Sequence, residues 1–311
     1  MLLVVAGLAL LVGGGEVLIR GSVGVAERFG LSRALIGVVI LGFGTSMPEF
    51  VATFGAALKG ADDIAFGNVL GSNIANILMI LGACALILPI ATSLRELRRD
   101  VGFVLLSSLG CLLWIVLGGI PTAGAAVLVA AFLAYMFLTI RADLALPAEA
   151  QDASVASRSV LLDALFIVAG IALLVGGAES LIRGASSIAR GFGVSEALIG
   201  ITVVGIGTSL PEATASILSS LKRENQLAFA NIVGSNIFNG LAILGVTGLA
   251  FPLSFDVGAA GFTLGDGIVL VAATVLMFAF ALTHREVKRW EGALMLMGYA
   301  AYVAWLISRV G

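Results

Sequence analysis

Gly42-Phe43-Gly44-Thr45-Ser46-Met47-Pro48-Glu49 returns later in the chain as Gly205-Ile206-Gly207-Thr208-Ser209-Leu210-Pro211-Glu212. The offset, 208 − 45, is 163 residues. A second pair keeps it: Gly71-Ser72-Asn73-Ile74-Ala75-Asn76 and Gly234-Ser235-Asn236-Ile237-Phe238-Asn239. All four stretches sit inside long apolar runs. Carboxylates, hydroxyls and amides are costly there and mark function. Residues 13–82 align with 176–245 without a gap, and about half the positions are identical. A duplication kept only for packing would preserve apolar positions best; here the best-matched positions are polar.

The 311 residues are 60% hydrophobic and 12% charged, with a mean hydropathy of +1.13. A soluble domain of this length cannot hide so much apolar surface. The expected class is an all-α, polytopic membrane protein. A net charge of −2 and the lack of any long basic run exclude a nucleic-acid partner. Cys84 and Cys111 lie in apolar runs without CxxC spacing, so they read as small buried hydrophobes. The 40 glycines suit close helix packing and broken helices. Residues 1–19 have no basic residue before Arg20 and no clear small-residue cleavage site. They read as a retained first helix rather than a signal peptide.

Apolar runs long enough to span a bilayer predict ten spans: 2–19, 33–58, 64–90, 101–118, 122–140, 160–182, 196–221, 227–250, 266–283 and 291–308. The polar stretch 141–159 is the one real linker. It divides the chain into a five-helix half at 1–140 and another at 160–311. With the N-terminus outside, 13 of the 17 basic residues fall in inside loops, so both termini are expected outside and the linker inside. Five is odd, so the second copy of each segment crosses in the opposite direction to the first. Such an inverted repeat marks a secondary transporter with its site near mid-membrane.

The motifs carry oxygen chemistry. On a helix Thr45, Ser46 and Glu49 share a face, as do Thr208, Ser209 and Glu212. Pro48 has no N–H for the carbonyl of Gly44, and Gly42 and Gly44 ease a bend; Pro211, Gly205 and Gly207 repeat this. Broken helices with free backbone are tolerated at membrane depth only where they are buried or line a wet cavity. Ser72 with Asn76, and Ser235 with Asn239, add hydroxyl and amide oxygens at i, i+4. The set holds two carboxylates and no His or Cys, which suits hard cations and not zinc or copper. A plainer reading makes Ser46-x-x-Glu49 and Ser209-x-x-Glu212 capping boxes at the start of half-helices. Capping alone does not account for two carboxylates at membrane depth without a basic neighbour.

The two copies resemble the α-repeats of the calcium/cation antiporter superfamily, the sodium/calcium exchangers, over essentially the whole chain. The short linker is similar to that of compact prokaryotic members. The resemblance implies ten helices in inverted halves, calcium and sodium as transported ions, and no cofactor beyond them. It implies Glu49 and Glu212 as the main calcium ligands. Thr45, Ser46, Thr208 and Ser209 then match hydroxyl or carbonyl ligands, and Ser72 and Ser235 the serines of the sodium sites. Asn76 matches a central amide, and Gly42 and Gly205 backbone carbonyl ligands. Helices 2–19 and 160–182 resemble the family's long sliding pair. Asn239 stands where several members carry Asp, which implies potassium independence. The expected setting is a prokaryotic plasma membrane, with lipid and the ions as partners and no obligatory protein partner.

Three other functions compete. A proton-driven exchanger would use a buried glutamate as proton carrier; the wealth of hydroxyl and amide ligands favours sodium. A channel shares broken helices and oxygen ligands but lacks obligatory coupling. An intramembrane hydrolase needs a nucleophile–base set, and the only histidine, His284, lies among Arg285, Lys288 and Arg289 at a helix end. Glu16–Arg20 and Glu179–Arg183 are expected as ion pairs at helix ends. Asn68 and Asn231 are expected to bond exposed backbone rather than ions, and so are Asn73 and Asn236, which face away from Ser72 and Asn76.

Overall fold

The structure, a computed structural model, describes residues 2–145, 159–192, 205–255 and 262–310. Among the described residues, eight helices are long and apolar enough to span a membrane: Leu2–Phe29, Asp62–Ile87, Leu97–Leu117, Thr122–Leu144, Val160–Gly191, Asn225–Ala250, Leu264–His284 and Arg289–Arg309. A ninth span is a bent pair, Arg33–Thr45 with Met47–Leu58. The remaining expected span, 196–221, lies partly outside the described residues; within them it supplies the helices Gly205–Thr208 and Leu210–Leu221. The linker at 141–159 also falls largely outside them.

Leu2–Phe29 and Val160–Gly191 have 28 and 32 residues, well beyond the expected 2–19 and 160–182. Hydropathy ends where the chain turns polar, but helical hydrogen bonding continues into the headgroup region. At 1.5 Å per residue they reach about 42 and 48 Å, the full bilayer with its headgroups. They lie antiparallel along one another. A Cβ on Gly7 would sit 2.8 Å from the backbone of Gly177 and Leu181; on Gly14, 2.8 Å from Leu174 N; on Gly21, 2.7 Å from Asp163 O. Gly170, Gly177 and Gly184 answer from the other helix, facing Leu18, Leu11 and Val4. Each set repeats every seven residues. Lipid tails are as apolar as Leu, so close backbone approach, which only glycine permits, is what holds such a pair.

The helices carrying the Gly-Ser-Asn motifs are the innermost. Within the apolar windows, 72% of Asp62–Ile87 and 94% of Asn225–Ala250 is buried, against 17–33% for Leu2–Phe29, Thr122–Leu144 and Arg289–Arg309. Both inner helices widen to π geometry at the end of the motif, over Ala75–Leu81 and Phe238–Ile243, which include Asn76 and Asn239. Gly37–Gly42 does the same within the bent span, ahead of its break. Such widenings recur at functional sites because they shift side-chain register and loosen backbone bonding. The expected all-α class carries one small exception. Two antiparallel two-residue strand pairs, Ile90–Ala91 with Glu286–Val287 and Gly119–Ile120 with Leu253–Ser254, each tie a loop of one half to a loop of the other.

Candidate cation site

Both motif segments break at a serine. Ser46 (φ −82°, ψ 8°) separates Phe43–Thr45 from Met47–Leu58, with a 45° bend between the helices on either side. Ser209 (φ −85°, ψ 8°) separates Gly205–Thr208 from Leu210–Leu221. Pro48 and Pro211 fall in the first turn after the break, where a missing N–H costs nothing. The capping-box reading is overturned: neither serine side chain caps its own helix.

The hydroxyls are used across the molecule instead. Ser46 Oγ donates to Glu212 Oε1 at 2.8 Å, and Ser209 Oγ donates to Glu49 Oε1 at 3.3 Å. Each half's serine therefore holds the other half's carboxylate. Ser72 Oγ also reaches Glu49 Oε1, at 3.5 Å. Ser46, Glu49, Ser209 and Glu212 are all 0% exposed. The second oxygens, Glu49 Oε2 and Glu212 Oε2, have no hydrogen-bond partner among the described residues, and neither do Ser235 Oγ, Asn239 Oδ1 or either polar atom of Asn76. A buried polar atom left open costs about 1–3 kcal/mol, and more if charged. A cation offers the oxygens among them the missing partner, and two carboxylates balance one divalent ion.

Outside this centre, mirrored amides brace the breaks. Asn68 Nδ2 donates to Glu49 O at 3.3 Å and to Thr53 Oγ1 at 3.0 Å. Asn231 Nδ2 donates to Glu212 O at 3.5 Å and to Ser216 Oγ at 2.8 Å. Thr45 Oγ1 donates to Leu41 O at 2.9 Å and lies 3.3 Å from Asn231 Oδ1. Thr53 and Ser216 escaped the sequence reading. Their signal was present: both stand four residues after the glutamate, at the same 163 offset. Asn73 and Asn236 also bond backbone: Asn73 reaches across to the Asn236 oxygen on the other inner helix, and Asn236 bonds Ile232 O of its own helix. Gly42 lets the broken segment close on the partner helix, since a Cβ there would sit 3.1 Å from Gly234 C and 3.2 Å from Ser235 N. Thr208 is buried, and Gly205 opens its short helix. Direct bonds thus join Ser46 to Glu212, and Ser72 and Ser209 to Glu49. Asn76, Ser235 and Asn239 contribute open buried atoms on the two inner helices. The cysteines are buried and free, and His284 is exposed.

Known proteins share this frame. The family described as sodium/calcium exchanger protein matches residues 1–141 and 162–308. CaxA of Alkalimonas amylolytica, a putative antiporter by its description, is 36% identical over 324 residues, covering 98% of each chain. The sodium/calcium exchanger MaX1 of Methanosarcina acetivorans is 28% identical over 349 residues, 97% of each chain. A solved structure of the sodium-calcium exchanger NCX_Mj superposes with a TM-score of 0.84 at 28% identity, covering 97% of both chains. Structures of that protein were obtained after soaking with Na+ and with Ca2+ or Sr2+. A multi-pass chain with this sequence pattern and this fold belongs to the sodium/calcium exchanger family of membrane antiporters.

Proposed function

We propose that this chain exchanges sodium for calcium by alternating access, without potassium, across the plasma membrane of a prokaryote. Ten helices form two inverted halves, 1–140 and 160–311, joined by a cytoplasmic linker at 141–159, with both termini outside. Glu49 and Glu212 are the main calcium ligands. Hydroxyl, amide and carbonyl oxygens from Thr45, Ser46, Ser72, Asn76, Thr208, Ser209, Ser235, Asn239, Gly42 and Gly205 complete the shells of the transported ions.

The observation that carries this reading is the reciprocal hold of Ser46 on Glu212 and Ser209 on Glu49. It brings both carboxylates into one buried region to which each half contributes. A site at the meeting of two oppositely threaded halves can be exposed to one side or the other by rocking one part against the rest. The charge count supports potassium independence: among the motif ligands only the two glutamates are acidic, because residue 239 is Asn. Proton-driven exchange is the second reading. What favours it is the pair of neighbouring carboxylates, within electrostatic reach of each other, with no basic residue among their bonded partners. Calcium-45 uptake into proteoliposomes separates the two. Uptake driven by an imposed sodium gradient, and indifferent to potassium, is expected. Uptake driven by a proton gradient alone would replace sodium with protons, and uptake with no counter-ion would make the chain a channel.

A further inference from the structure

Four buried amides, Asn73, Asn76, Asn236 and Asn239, come two from each half, yet they are not used alike. Asn73 Nδ2 donates to the backbone oxygen of Asn236 at 3.2 Å, and Asn73 Oδ1 accepts from Asn239 Nδ2 at 3.1 Å. The mirror bonds are not made. Asn236 Nδ2 donates within its own helix, to Ile232 O at 2.8 Å, and Asn236 Oδ1 has no partner among the described residues. Asn76, the counterpart of Asn239, has neither end bonded. One amide of the central pair is clamped and its twin is loose.

The direction of the clamp is set by the backbone. A side-chain amide has a donating end and an accepting end. A backbone carbonyl only accepts. Asn236 O, which also accepts from Ser107 Oγ at 3.2 Å, therefore takes the nitrogen end of Asn73. That leaves the oxygen end of Asn73 for Asn239, which must meet it with its nitrogen. Asn239 Oδ1 is then the free end, 0% exposed and without a partner. The polarity matters because only an amide oxygen coordinates a cation, whereas an inward NH2 repels one. Ser107 has a place in this relay because Gly240 makes room: a Cβ there would lie 1.8 Å from Ser107 Oγ.

We propose that Asn73 is a positioning residue for cation binding: its bridge from Asn236 O to Asn239 Nδ2 holds the Asn239 amide with its oxygen toward the transported ion. The inference rests on the exchanger reading above and adds a residue to it. Removing an outer partner of a metal ligand costs about tenfold or more in affinity.

Calcium chloride titrated calorimetrically into the purified full-length protein in detergent tests it through a double-mutant cycle. Asn73→Ala is expected to weaken calcium binding about tenfold. In an Asn239→Asp background the same change should cost less than about twofold, since a carboxylate has two like oxygens and needs no orienting. In an Asn76→Ala background the cost should stay near tenfold, because Asn76 is outside the relay. Equal losses with and without the Asn239→Asp substitution would show that Asn73 serves only as a strut and would overturn the proposal, as would no loss in either. Asn73→Leu, close in size but without either polar end, covers the case in which Asn73→Ala does not fold. It should show the same loss of calcium affinity, about tenfold, and unchanged affinity would refute the clamp. If the unmodified chain binds no calcium, it is the exchanger reading that fails.

Discussion

The two halves carry the same glutamate and lysine at their seams, and only one seam is closed. Where Leu2–Phe29 meets Leu210–Leu221, Gly15 packs on Thr214 and Leu218, and Lys222 is paired with Glu16. The repeat places Glu179 and Lys59 in the mirror positions, but Ala178, Val51 and Gly55 in those of Gly15, Thr214 and Leu218. There, Glu179 pairs with Arg183 of its own helix, Lys59 is exposed, and a Cβ on Gly55 meets nothing within 4 Å among the described residues. The two copies of the repeat thus share one charge pair and pack differently around it. An exchange of the two packings would keep the glutamate–lysine contact but would set Ala178, Val51 and Gly55 in place of Gly15, Thr214 and Leu218.

At the site itself the halves should remain equivalent, which is the largest effect to test. Glu49→Gln and Glu212→Gln are each expected to lower sodium-driven calcium-45 uptake by about 100-fold or more, beyond the range for a ligand's outer partner. If one of them transported at the normal rate, the carboxylates would not be a shared pair. Next comes the glycine seam between the long helices. Gly14→Leu must push Leu173 and Leu174 away and should cost about 1–3 kcal/mol by overpacking. Gly13→Leu, one residue off the seam, meets open space and should stay within about 0.5 kcal/mol. Melting of the purified variants in detergent reads the contrast, and equal losses would mean the seam is not what holds the pair.

A third test asks whether the open seam ever closes. In a background with Cys84→Ala and Cys111→Ala, the pair Glu16→Cys and Lys222→Cys should cross-link in the conformation seen here. The pair Lys59→Cys and Glu179→Cys should cross-link only when the first contact opens, so ions that promote one should suppress the other. A 59–179 link that forms regardless of ions would remove the asymmetry. The smallest effect is that of the charges. Glu16–Lys222 is about one-third exposed on each side, so Lys222→Gln should change stability by only about 0–1 kcal/mol. Its expected signature is a shift in the balance between the two cross-links, and Lys59→Gln should move that balance the opposite way.

The contrast between seams also marks how far a linear reading reaches. The polar motifs declared themselves because carboxylates and amides inside apolar runs are expensive, and their recurrence at one offset announced the repeat. The heptad glycines Gly7, Gly14 and Gly21, repeated as Gly170, Gly177 and Gly184, were equally visible. They went unread because glycine is abundant throughout this chain, and only a contact shows which glycines face a neighbour. The π-widened turns were not legible, since no residue type encodes a slipped register. The capping-box pattern misled: a serine at a helix start has the same local signature whether its hydroxyl turns to its own backbone or across to another carboxylate.

The sequence by itself determined a membrane-spanning helical chain, an internal repeat, and two glutamates set among hydroxyl and amide oxygens, because composition and periodicity follow directly from the cost of polar groups in lipid. Only the tertiary structure decided which half's serine holds which carboxylate, that Asn73 clamps Asn239 and not its mirror, and that one seam is closed while the other stands open. Those outcomes depend on how two like halves share one centre, and residues 163 positions apart carry no mark of which will bond to which.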